Sequence, residues 1–207
     1  LRLNPGFAGT YRWYSQLLVA QARFAESLLA SQQCLRLDHL DVTYNNHLGW
    51  HFYHARQYDA ALNQFQKALE LDPHSVWPQI EMGRAYEQKQ MYDEAIDAFA
   101  QVISATHSSF PVAGLGHAYA LAGHRAKAML QLQELAHRAT QVYVTPFSPA
   151  IIYVALGDHE QALNLLEKAY QERCGWMTYL KVDPRLDPLR SEPRFTSLLQ
   201  RMGLDRP

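Results

Sequence analysis

The stretch from Leu48 to Pro73 constrains the chain more than any other. It carries Leu48-Gly49, Phe52, Tyr58-Asp59, Ala61, Phe65, Ala68 and Asp72-Pro73, and 34 residues on the pattern returns as Met82-Gly83, Tyr86, Tyr92-Asp93, Ala95 and Phe99. Apolar residues three and four apart mark one face of a helix. A fixed period of this length marks a helix pair that stacks on copies of itself. One such pair cannot hide its apolar face alone, so the chain must fold as a row of them. Inside a pair, Gly49 and Gly83 let the second helix approach the first, and Ala61 and Ala95 do the same from the other side.

With the Leu-Gly pair as positions seven and eight, repeats start near Ala8, Val42, Val76, Ser109 and Tyr143. The first is degenerate: Tyr14-Ser15 replaces Leu-Gly, Leu18 replaces the aromatic, and Ser27, Ser31 and Cys34 replace Ala, Phe and Ala. The period predicts helices over 9–21, 24–37, 42–55, 58–71, 75–89, 92–104 and 125–138, with a loop over 139–145. Ser75 is the expected cap of its helix, with Pro78 in the first turn. Pro146 and Pro149 shorten the first helix of the fifth repeat, and Gly157 suits the left-handed residue that follows it. The period fails after residue 174. A last helix is expected over 192–202, capped by Ser191, with Phe195, Leu198, Leu199 and Met202 on one face. The tail reads as a C-terminal cap that hides the last apolar face, with Trp176 and Tyr179 packed on the fifth repeat.

Composition narrows the function classes. The 207 residues are 48% hydrophobic, which suits a folded chain. A net charge of −1 leaves no electrostatic footprint for nucleic acid or anionic lipid, so neither is an expected partner. Cys34 and Cys174 lie far apart and form neither a disulfide framework nor a zinc pattern. They fit a reducing compartment, and the expected location is cytoplasmic. The most apolar run, Val142 to Leu156, is broken by two prolines and too short to cross a bilayer. Leu1 to Pro5 reads like Leu69 to Pro73, which ends a second helix. The chain is therefore expected to begin inside an earlier repeat, as a fragment of a longer protein.

Enzyme motifs fail one at a time. His159-Glu160 lacks the second histidine of a zinc-protease helix, and Gly114-Leu115-Gly116 lacks the third glycine of a dinucleotide loop. No phosphate loop or nucleophile elbow occurs. Asp183 and Asp187 each precede a proline and read as turn and cap residues. His47, His51 and His54 share a helical face, but no carboxylate or thiol stands beside them at helical spacing. No catalytic residue, cofactor or metal is expected.

These motifs resemble the tetratricopeptide repeat (TPR) family over residues 1–174. The resemblance implies an all-α, right-handed superhelix of about five helix pairs. Residues 1–7 would end a preceding repeat. The array would cover 8–174, as repeats near 8–41, 42–75, 76–108, 109–142 and 143–174, with the cap over 175–207. The tail, with Gly175-Trp176, Tyr179-Leu180-Lys181-Val182-Asp183-Pro184-Arg185 and Arg190-Ser191-Glu192-Pro193-Arg194-Phe195, is similar to the end of TPR regions in bacterial multidomain regulators. There the array follows a winged-helix, kinase or cyclase domain.

The resemblance also implies a concave face built from the first helix of each pair. That places Arg12, Trp13, Gln16, Asn46, His47, Trp50, Tyr53, His54, Trp77, Arg84 and His117 in a peptide-binding groove, with Glu81, Glu87 and Phe110 beside them. Aromatic and arginine side chains are the types that anchor interfaces. The clamp of Lys, Asn and Arg that holds acidic C-termini in co-chaperones is absent. Its positions read Arg12, Asn46 and Ile80, then Gln16, Trp50 and Arg84. The expected function is a protein-interaction module, the regulatory part of a larger protein, that binds a protein or peptide segment. The alternatives are a small-ligand sensor coupled to an upstream effector and a scaffold that self-associates through its uncapped N-terminal end.

Overall fold

The computed structural model describes residues 6–106 and 108–205. The expected end of an earlier repeat at Leu1–Pro5 lies outside the described residues. Five helix pairs follow one another: α1 (Ala8–Ala20) with α2 (Phe24–Leu37), α3 (Val42–His54) with α4 (Tyr58–Leu71), α5 (Val76–Gln88) with α6 (Tyr92–Ile103), α7 (Phe110–Leu121) with α8 (Arg125–Arg138), and α9 (Phe147–Ala155) with α10 (His159–Gln171). Two 3-10 turns, Gly175–Tyr179 and Pro184–Leu189, lead to α11 (Pro193–Arg201). The second helices of repeats one, two and four start and stop where the period predicts.

The turn inside each pair is the same turn. Its left-handed residue is Ala22, Arg56, Gln90, Gly123 and Gly157, in steps of 34, 34, 33 and 34 residues. Asp41 caps α3 by accepting from the Tyr44 N–H at 2.9 Å, and Asp158 caps α10 by accepting from the Gln161 N–H at 3.1 Å. Two expected caps are corrected. Ser75 stands at the N-cap of α5 without a side-chain bond, and α11 starts after Glu192, not Ser191. Pro193 opens α11 with its fixed φ, so the helix has no need of a serine there.

Close approach follows the small residues. A methyl group added at Gly83 would lie 2.7 Å from the ring of Phe99, and one at Gly114 would also strike that ring. Phe99, on a second helix, thus packs into the first helices of its own pair and of the next. Gly49 meets Phe65 in the same way. The degenerate first repeat keeps the spacing and adds polarity. Ser15 and Ser27 are fully buried against α3. At the far end α11 places Phe195 and Leu198 on the last cluster, beside Leu163 and Leu166 of α10.

Candidate binding site

The first helices α1, α3, α5, α7 and α9 meet one another in succession and form the inner wall of the array. Much of that wall is polar or aromatic, and most of it is buried: His47, Trp50, Tyr53, His54, Glu81, Arg84, Glu87 and His117. Neighbouring first helices bury part of it, and the rest is covered from the other end of the chain.

The tail runs into the inner face. Tyr179 lies edge-on to Trp50, ring centres 4.9 Å apart, and stacks on His54 at 5.7 Å. Trp176 meets Phe110 at 4.8 Å and Trp77 at 6.5 Å, with the Arg84 guanidinium 5.4 Å from its ring centre. Val182 joins Val19, Trp50, Tyr53 and Phe65 in one cluster. The expected seat on the fifth repeat is corrected for Tyr179, whose ring partners stand on α3, whereas Trp176 packs against the cluster that includes α9 and α10 and also reaches the rings of α5 and α7. The physical reason is that Trp50 and His54 on α3 offer Tyr179 ring contacts on the inner wall.

Polar groups lock the tail in place. Asp183 and Arg185 form a buried ion pair with Nη2–Oδ2 at 2.6 Å. Burial alone would raise the Asp183 pKa, but the Arg185 charge and hydrogen bonds outweigh it and hold the carboxyl well below the usual range. Asp183 also accepts from the Arg185 backbone N–H at 3.0 Å, the cap role its sequence suggests. Asp187 takes Arg56, from the α3–α4 turn, and Arg190, each at 2.6 Å.

The three histidines of α3 have separate surroundings. The Ser15 hydroxyl donates to the Arg12 carbonyl at 2.9 Å, so His47 Nε2–H is left to donate to Ser15 Oγ at 2.5 Å. The Ser27 hydroxyl donates to the Ser15 carbonyl at 3.0 Å, so His51 Nδ1–H donates to Ser27 Oγ at 2.9 Å. Burial lowers all three pKa values, to about 3 for His47 and His54 and about 4 for His51, with Arg12 adding to the effect at His47. All three rings are neutral at pH 7. Among the described residues no group of three His, Cys, Asp or Glu could hold a metal ion, and no helix is long and apolar enough to cross a membrane.

The residues assigned to the groove from sequence divide accordingly. Tyr53, His54, Arg84 and His117 are buried, the first three against tail residues and His117 against Glu87, to whose Oε1 its Nδ1–H donates at 2.8 Å. Arg12, Gln16, Asn46, His47, Trp50 and Trp77 line a cleft of about 280 Å³ that the tail leaves open. Trp13 stands apart from it, 63% exposed, with the Arg12 guanidinium over its ring at 4.4 Å. Thr43, Glu81, Trp176 and Tyr179 complete the lining. Two acceptors on these walls, Glu81 Oε2 and Asn46 Oδ1, are buried without a donor. The tail rings are the part the repeat pattern missed. Their only signal was an aromatic pair just past the point where the period fails.

Known proteins carry the same architecture. Residues 52–115 match the tetratricopeptide repeat family model. A thermophilic TPR protein of Thermus thermophilus superposes with a TM-score of 0.66 at 18% identity, covering 93% of this chain and 99% of that one. The fold is that of a TPR solenoid. YrrB, a TPR protein with an unusual peptide-binding site, superposes at 0.50 with 19% identity, over 87% of this chain and 93% of its own. Protein bimA of Emericella nidulans is 30% identical over 107 residues, which is 51% of this chain and only 13% of that protein.

Proposed function

We propose that this TPR array binds a segment of another protein, or of its own upstream region, in the cleft between α1, α3, α5 and the 175–179 turn. The observation that carries the reading is the tail itself. It closes the inner groove over Tyr53, His54 and Arg84, and leaves an aromatic-walled opening beside them. A partner therefore enters that opening with a short segment and does not lie along the whole groove. Aromatic side chains at a concave opening are the usual anchors of an interface. A neighbour of the same fold, YrrB, has a peptide-binding site of its own. The role is non-catalytic, and the likeness of the tail to multidomain regulators makes it a regulatory arm of a longer chain, with the array over 8–174 and the tail over 175–207.

A displayed random-peptide library tests the reading. The chain should enrich peptides whose affinity falls at least about tenfold in Trp77→Ala and Gln16→Ala. Trp77 is 44% exposed, so its replacement should leave the melting temperature nearly unchanged. Failure to enrich any peptide, or equal binding by both variants, would remove the cleft as the partner site.

A further inference from the structure

We propose that this cleft takes a proline-rich segment of its partner in the polyproline II conformation. This rests on the cleft being a partner site, and it names the chemistry of what enters.

The polar groups at the opening are mostly donors. Asn46 and Glu81 line the cleft, but Asn46 Oδ1 and Glu81 Oε2 are buried away from it, and Glu81 Oε1 takes Arg84 Nη1 at 2.9 Å. Those acceptor oxygens are closed to an entering chain, and the Nδ2 amide is the polar end that Asn46 can present. Trp50, Trp77 and Trp176 each carry one indole N–H and no acceptor. Arg12 also has donors only. Its guanidinium lies over the Trp13 ring, and no carboxylate pairs with it among the described residues. Gln16, Thr43 and Tyr179 can donate or accept.

An ordinary extended peptide brings as many N–H groups as carbonyls. Its N–H groups would leave water for an opening with few acceptors, which is unfavourable. Proline brings a carbonyl and no N–H. The polyproline II helix has no internal hydrogen bonds, so each of its carbonyls is free to accept.

The walls agree with the polar groups. Trp77, Trp176 and Tyr179 are only partly buried and face one space of about 280 Å³, room for a short stretch of chain. Trp77 and Trp176 stand 6.5 Å apart, and Trp176 is held from behind by Phe110 at 4.8 Å. Aromatic-lined grooves are a common seat of this helix, whose preformed shape lowers the cost of ordering. The rival occupant is a carboxylate, drawn by Arg12. A carboxylate alone leaves the apolar walls uncovered and meets ring faces that carry partial negative charge. The Arg12 guanidinium donates to a backbone carbonyl as readily as it stands.

Three of the four tryptophans line the cleft, so tryptophan fluorescence reads its occupancy. The full chain is titrated with three hexapeptides, each acetylated and amidated: hexaproline, Ala-Gln-Ala-Ala-Gln-Ala and Ala-Glu-Ala-Ala-Glu-Ala. Hexaproline should saturate at a concentration at least about tenfold below either of the others. Trp77→Leu keeps an apolar wall but loses a ring and its N–H. It should weaken hexaproline at least about fivefold with the melting temperature held. Arg12→Gln keeps an N–H donor and removes the charge, so it should change hexaproline affinity less than about threefold. A smaller preference for hexaproline, tighter binding of the glutamate peptide, no saturable response to hexaproline, or undiminished binding in Trp77→Leu overturns the proline-rich segment. A larger loss in Arg12→Gln overturns it too, because the charge would then be what binds. Library peptides that depend on Trp77 and Gln16 but carry no proline would also overturn it, and would leave the partner reading standing.

Discussion

Phe99 holds two repeats together with one ring. It is 0% exposed, and it sits where added methyl groups at Gly83 and Gly114 would strike it. The period in the sequence already pairs Gly83 with Phe99. What it does not show is that the ring also bridges to Gly114 of the next pair, because that contact depends on how pairs stack. Phe99→Ala should therefore open a cavity between repeats three and four and lower stability by about 3–5 kcal/mol. Denaturant melts followed by helical circular dichroism would measure it, and a loss below about 1 kcal/mol would show that the interface closes up around the gap. The serines of the first repeat teach the complementary lesson. Ser15 and Ser27 read in sequence as small residues standing in for Gly and Ala. In the fold they also satisfy His47 and His51, a role that only the facing helix could reveal.

At the scale of elements, the tail does two separate jobs. Helix α11 covers the last pair through Phe195 and Leu198, which is the capping role its amphipathic pattern implies. The preceding turns instead enter the inner groove. Their anchor is Asp183 with Arg185, both nearly fully buried and facing Tyr53, Glu87 and His54. Removing one member of such a pair strands the other charge in a dry site. Asp183→Ala should destabilise the chain by about 3–5 kcal/mol, while replacing both members by apolar residues of similar size should be much milder. Equilibrium unfolding of the two variants checks this. If the double replacement were as damaging as the single one, the anchor would lie in the other contacts of the tail.

For the whole molecule the buried histidines set the response to pH. His47, His51 and His54 lie between the first two repeats and the tail, with pKa values lowered to between about 3 and about 4. Their unfolded value is ordinary, near 6.5. Above that value neither state is protonated and stability does not depend on these groups. As pH falls below it, the unfolded chain takes up protons that the folded chain refuses, so stability drops. The slope is about 1.4 kcal/mol per pH unit for each ring, or about 4 for the three together, until the folded values are reached. Asp183, held low, adds to the loss only below the usual carboxylate range. Thermal melts from pH 7.5 down to 4.5 should show a steep fall beginning near pH 6.5, shallower by about a third in His47→Gln. A flat profile would mean that the rings stay wet.

The sequence alone determined the array of helix pairs, the small residues at their contacts and the polar, aromatic character of the inner helices. All of these are local: they follow from helical periodicity and from spacing along the chain. Only the tertiary structure decided where the tail goes. Arg56 and Asp187 are 131 residues apart and Trp50 meets Tyr179, and no periodicity links such positions. The inner wall carries aromatic and charged groups that water would otherwise have to cover. The tail covers part of it with the rings of Trp176 and Tyr179, the apolar Val182 and the buried Asp183–Arg185 pair. The cleft that remains lies between that wall and the tail rings Trp176 and Tyr179, where the tail does not fill the groove.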